Sequence, residues 1–178
     1  MKKLLTVFVI FVYFVPISLI LTVYIIAKQT SQNSLMLGAF AIPIIFMIAV
    51  CILIILNIIK AIISIVQSRC LSFRTVMVYK LCLIPFYIIN FIFWSIASMV
   101  FHIAIIVWPL IPFVIIYTYF TIFGTSIHII AKLFNLKQNK VITTKQFVLH
   151  CILQFIFTFD VIDSIYLAIR QKKFEHVS

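Results

Sequence analysis

The chain has 178 residues, of which 66% are hydrophobic, 10% are charged and two are glycine, and its mean hydropathy is +1.32. A soluble domain carries about 45–50% apolar and about 25% charged residues. Too little polar surface remains to face water on all sides, which excludes a soluble globular domain, a disordered chain, a coiled coil, a collagen and a disulfide scaffold. The formal charge of +11 comes from bases lying in the gaps between apolar runs. That pattern orients a membrane protein and meets anionic headgroups; it is not a basic patch for nucleic acid.

Met1-Lys2-Lys3 leads into the apolar run 4–27, which has 24 residues. A secretory signal has an apolar core of about 7–15 residues followed by a small-residue cleavage site, and neither feature is present. The run predicts an uncleaved first span, since about 20 apolar residues cross the bilayer, with a kink at Pro16. A polar hairpin over 28–34 leads to a second span over 36–59. Lys60, Ser64, Gln67 and Ser68 then recur at helical spacing, which predicts that this helix emerges along the headgroup layer.

Residues 69–80 read as a basic connection. The next 51 residues, 81–131, carry no formal charge. As one helix they would extend about 77 Å, far beyond the roughly 30 Å hydrocarbon layer, so two spans are predicted, 81–101 and 109–131. Trp108, Pro109 and Pro112 suit the start of the fourth span, and His102 falls near the turn. A second basic connection runs over 132–145.

The apolar run 147–169 is ambiguous. Its fourteen Phe, Leu, Ile and Val residues favour insertion by about 0.3–0.6 kcal/mol each, whereas Asp160 and Asp163 together oppose it by about 5–7 kcal/mol. Charge placement discriminates better. With a cytoplasmic N-terminus, four spans put thirteen bases inside against Lys28 outside, and five spans put ten against four. The positive-inside rule therefore predicts an all-α integral membrane protein with four transmembrane helices and a membrane-associated C-terminal helix, the alternative being five spans. His150, Gln154, Thr158, Asp160 and Ser164 share a helical arc with Leu153, Phe157, Val161 and Ile165. That mixed face suits a helix packed among others or dipping partly into the bilayer.

Few polar residues are candidates for function. Asp160 and Asp163 are expected at the inner interface, as the hydrated edge of a peripheral helix. At membrane depth they would instead form an ion, proton or docking site. Their spacing resembles the opening of the CDP-alcohol phosphatidyltransferase motif, but Ser164 stands at its glycine and its second half is absent. Thr118, Thr121, Thr125 and His128 follow one face of the fourth span, beside Gly124, which would let another helix approach closely. Asn90 and Ser98 lie on one side of the third, with His102. The two stripes are candidates for a polar path; the commoner use of such residues is interhelical hydrogen bonding. Cys51, Cys70, Cys82 and Cys151 form no C-x-x-C and read as small apolar residues.

No nucleotide-binding, metalloprotease or hydrolase motif occurs, and the loops are short. The expectation is a non-enzymatic accessory, regulatory or protective (immunity-like) protein without a cofactor. Its expected partners are anionic headgroups at the cytoplasmic face and another membrane protein or a second copy, not nucleic acid. A small carrier or channel is the alternative, and a lipid-modifying enzyme the third reading. Residue usage rich in Ile, Phe, Lys and Asn suggests a bacterial cell membrane.

Overall fold

The computed structural model describes residues 1–28, 33–99 and 111–175. Among them lie six helices and no strand: α1 (Lys2–Lys28), α2 (Asn33–Val66), α3 (Phe73–Met99), α4 (Ile111–Gln138), α5 (Thr144–Leu153) and α6 (Phe157–Glu175). Four of them contain stretches long and apolar enough to cross a membrane, Lys2–Thr22, Ala41–Val66, Phe73–Ile96 and Val114–Gln138. The protein is thus an all-α multi-pass membrane protein. His102, Trp108 and Pro109 lie outside the described residues.

Burial follows the helical repeat. Leu5, Phe8, Val12 and Val15 point into the bundle from α1, and Ile122, Ile129, Leu133 and Leu136 do so from α4, while Ile10, Phe14, Ile17 and Leu21 are exposed. A broad coat of exposed Ile, Leu and Phe also covers α2 and α3. Such a coat is stable against acyl chains, which are as apolar as the side chains themselves. α1 packs on α2, α2 on α4, and α3 on both α4 and α6.

Prolines sit inside three spans, Pro16, Pro43 and Pro85. Each removes the hydrogen bond to the carbonyl four residues earlier, and in a membrane a neighbour must compensate. The Tyr117 hydroxyl of α4 lies 3.5 Å from the Val12 carbonyl that Pro16 leaves unbonded. The Tyr13 hydroxyl donates to the Cys82 carbonyl at 2.5 Å, one residue beyond the carbonyl freed by Pro85.

α2 and α4 end in the same way. Ser68 (φ 52°) and Lys140 (φ 58°) adopt left-handed backbone. Arg69 N–H reaches back to the Ser64 carbonyl, and Val141 N–H to that of Leu136. This is the Schellman arrangement, which satisfies the last carbonyls of a helix. α2 carries past the expected 59 to Val66, with Ala61 and Ser64 buried against the bundle and Lys60, Ile62, Ile63 and Val66 exposed.

Three further features depart from expectation. The fourth span's helix runs on through 132–138, so the expected connection 132–145 shrinks to 139–143. The stretch 69–80 is not a connection throughout: α3 begins at Phe73, and its buried residues Phe73, Val76, Lys80 and Leu83 form one face with a lysine in it. The run 147–169 is not one helix but two, meeting at residues 154–156. Thr143 starts α5 with a capping box, its hydroxyl accepting from Gln146 N–H while the Gln146 side chain accepts from Thr143 N–H.

α5 and α6 form a hairpin that enters the bundle and returns. At its tip Phe155 stacks on Phe123, 5.9 Å between centroids, some fifteen residues or about 22 Å along α4 from Gln138. On the return Gln171 accepts hydrogen bonds from Ser72 and Arg74 at the start of α3. At the same end the Tyr79 hydroxyl donates to the Lys2 carbonyl and bonds Thr6. The first turn of α1 and the last turns of α6 therefore lie at one end of the bundle, with the α2–α3 turn.

Candidate functional site

The most polar part of the interior is where the hairpin tip meets α3 and α4. Lys80 is 2% exposed, and its ammonium donates to the Asp160 carboxylate, to Ser126 Oγ at 2.9 Å and to Gln154 Oε1 at 2.5 Å. An ammonium has three protons, so all three are used. Ser126 Oγ donates in turn to Asp160 Oδ1 at 2.8 Å. Gln154 Nε2 donates to Asp163 Oδ2 at 2.6 Å, and His150 Nδ1 lies 2.6 Å from Asp163 Oδ1. One connected network thus joins α3, α4, α5 and α6.

Asp160 and Asp163 are 2% and 4% exposed. This corrects the expectation of a hydrated polar edge: both carboxylates face inward, and the exposed side of the hairpin is Leu149, Ile152, Phe155, Phe159 and Ile162. Buried carboxylates are tolerable only with a cation or several donors, and Lys80, Gln154, His150 and Ser126 supply them. Burial lifts the Asp160 carboxyl above the ordinary carboxylate range, and Lys80 and then Ser126 pull it only part of the way back. The Arg170 guanidinium rests 4.9 Å over the Tyr166 ring.

The stripe on α4 divides between two neighbours. Asn90 Nδ2 donates to Thr118 Oγ1 at 3.2 Å, and Trp94 Nε1 donates to Asn90 Oδ1 at 3.0 Å. Thr121 lies 3.5 Å from the Tyr87 hydroxyl. These groups face α3, and Asn90, Trp94 and Thr118 line a mainly apolar cavity of about 480 Å³. Farther along, Thr125 bonds its own helix at the Ile122 carbonyl, 2.9 Å. His128 Nε2 bonds Asn57 Oδ1 of α2 at 2.9 Å. The Ser98 side chain lies outside the described residues. The structure thus joins Asn90 to Thr118 and directs His128 elsewhere.

Sequence reasoning missed Lys80, Ser126 and Asn57. For Lys80 a signal existed: Phe73, Val76, Lys80 and Leu83 follow 3–4–3 spacing, the stripe of a helix that is already inside.

A second feature lies between the two hairpin helices. A cavity of about 560 Å³ opens there, with Gln146, His150, Tyr166 and Arg170 among its polar lining and Leu149, Leu153, Phe159 and Ile162 among its apolar lining. His150 stacks on Tyr166, 5.8 Å between centroids, so His150, Tyr166 and Arg170 form a column down one wall.

No curated protein and no solved structure matches the chain. The profile of a family of unknown function, DUF6652, matches residues 1–173, and the chain belongs to that family.

Proposed function

We propose that this is a non-enzymatic accessory, regulatory or protective (immunity-like) protein of a bacterial cell membrane, with both termini cytoplasmic. It acts by presenting the docked hairpin and the basic end of the bundle to a membrane partner and to anionic lipid. The observation that carries this reading is that interior polar groups bond one another across helices. Among the described residues, His128 Nδ1 and Asn135 Oδ1 are the buried side-chain atoms without a hydrogen-bond partner. Lys80 uses its three protons on Asp160, Ser126 and Gln154, Asn90 holds Thr118, and His128 holds Asn57. These bonds fasten helices to each other. Lys3, Arg69, Arg74, Lys140, Lys145 and Arg170 are exposed, and juxtamembrane bases each gain about 1 kcal/mol near an anionic leaflet.

The alternative, a small carrier or channel, takes its support from the Asn90–Thr118 cavity. The two readings separate in vesicles that hold the purified protein and a pH-sensitive dye. Under an imposed proton gradient or potassium potential, the gradient is expected to decay as in protein-free vesicles. Faster decay that Asn90→Leu or Thr121→Val slows would overturn the accessory reading and establish the carrier.

A further inference from the structure

We infer that the crevice between α5 and α6 binds one anionic phospholipid, its phosphate at Arg170 and one acyl chain along Leu149, Leu153, Phe159 and Ile162. The inference rests on the reading above that this end of the bundle meets anionic headgroups. The charged and polar side chains Gln146, Tyr166 and Arg170 lie toward the end of the bundle, beside Val141, Ile142 and Phe174, while the wall that adjoins the hairpin tip, Leu153 and Phe159, is apolar. That order is the one in which a leaflet passes from headgroup to acyl chain. From Phe159 to Arg170 is eleven residues of α6, about 16 Å, or one leaflet of a hydrocarbon layer about 30 Å thick. The cavity, about 560 Å³, is of the size that encloses a ligand, about 300–1,000 Å³.

The electrostatics select an anion. Asp163 lines the crevice but is 4% exposed, and its oxygens are taken by His150 and Gln154. Arg170 is exposed and rests on Tyr166, with no carboxylate partner among the described residues. A guanidinium presents paired donors that match two phosphate oxygens. With His150 Nδ1 engaged by Asp163, Nε2 is the ring nitrogen left for a ligand, one turn deeper than Tyr166.

The test titrates the purified full chain in detergent micelles with dioleoylphosphatidylglycerol, read by native mass spectrometry, with dioleoylphosphatidylcholine and inorganic phosphate in parallel. One phosphatidylglycerol is expected to be retained per chain in preference to phosphatidylcholine. Arg170→Gln should weaken it about tenfold or more, the scale of losing a charged hydrogen-bonding group. Ile162→Trp, which fills the crevice, should do the same, while both variants keep the wild-type melting temperature. Equal retention of the two lipids by the wild type, or indifference to Arg170→Gln, would overturn the proposal. So would Arg170-dependent binding of inorganic phosphate that displaces the lipid, because the ligand would then be soluble. Lipid retention and ion flux are separate readouts, so failure here is distinguishable from failure of the accessory reading.

Discussion

Lys80→Met is expected to release the hairpin from the bundle at a cost of about 3–5 kcal/mol, the range for removing one partner of a buried ion pair. The loss is more than one hydrogen bond. Without the ammonium, the buried Asp160 keeps Ser126 as a donor, and Gln154 Oε1 loses its proton source. The double variant Lys80→Met/Asp160→Leu removes both charges and should recover most of the stability, since apolar replacement of a whole pair is often neutral or better. The readout is the labelling of Ser164→Cys, in a chain whose four cysteines are replaced by alanine, with a water-soluble maleimide. Ser164 is buried, so labelling is slow in the docked state. It should accelerate in the single variant and slow again in the double. Equal labelling in all three would mean that Lys80 does not hold the hairpin.

The same variant carries a pH signature. Burial raises Asp160, and the Lys80 charge is the largest influence opposing that rise. Removing Lys80 raises the folded-state carboxyl further above its unfolded value. The folded state then binds the proton more tightly, so the variant is most stable below the ordinary carboxylate range and loses stability as pH rises through the folded pKa. Because maleimide reacts with the thiolate, whose fraction falls with pH in every chain, the signature is the ratio of the single variant's labelling rate to that of the Lys80-containing chain at the same pH, which should fall on acidification.

Gly124→Leu is the second large effect. A Cβ at Gly124 would stand 2.8 Å from Phe8 Cζ of α1, and Phe8 is fully buried, so its ring has little room to retreat. Alanine in a helix gains about 0.5–1 kcal/mol over glycine, which offsets part of the contact. A leucine overfills the site and should destabilise by about 1–3 kcal/mol. Phe8→Ala alone should lose about 3–5 kcal/mol by leaving a cavity, and the two changes together should lose less than their sum. Thermal unfolding of the four proteins in one detergent checks this; strict additivity would mean that the two residues do not share the contact.

The four spans were legible in the sequence because apolar run length and the absence of charge over 81–131 are strong signals in a bilayer. Gly124 was legible as a point of close approach, and its partner is Phe8. The hairpin was not legible. The run 147–169 contains no glycine or proline to mark a break, and the turn at 154–156 is held by tertiary contacts: Gln154 reaches both Lys80 and Asp163, and Phe155 stacks on Phe123. Lys80 was hidden by its neighbours. Within a basic stretch it read as one more loop charge, whereas the helix had begun seven residues earlier. The arc shared by His150, Gln154 and Asp160 placed them along one helix, whereas His150 and Gln154 bond Asp163, outside that arc, and Gln154 and Asp160 are joined through Lys80. The fate of His128 was illegible because its partner, Asn57, is an isolated polar residue in an otherwise apolar span.

The central claim is that the C-terminal segment enters the bundle and returns without crossing. Paired reporters, one active only in the cytoplasm and one only outside, fused in turn before Met1 and after Ser178 of the full chain, test it most directly. Both termini are predicted on the same side, and Lys80→Met/Asp160→Leu should leave them there. Termini on opposite sides would make the hairpin a fifth span and contradict the docking of Asp160 on Lys80.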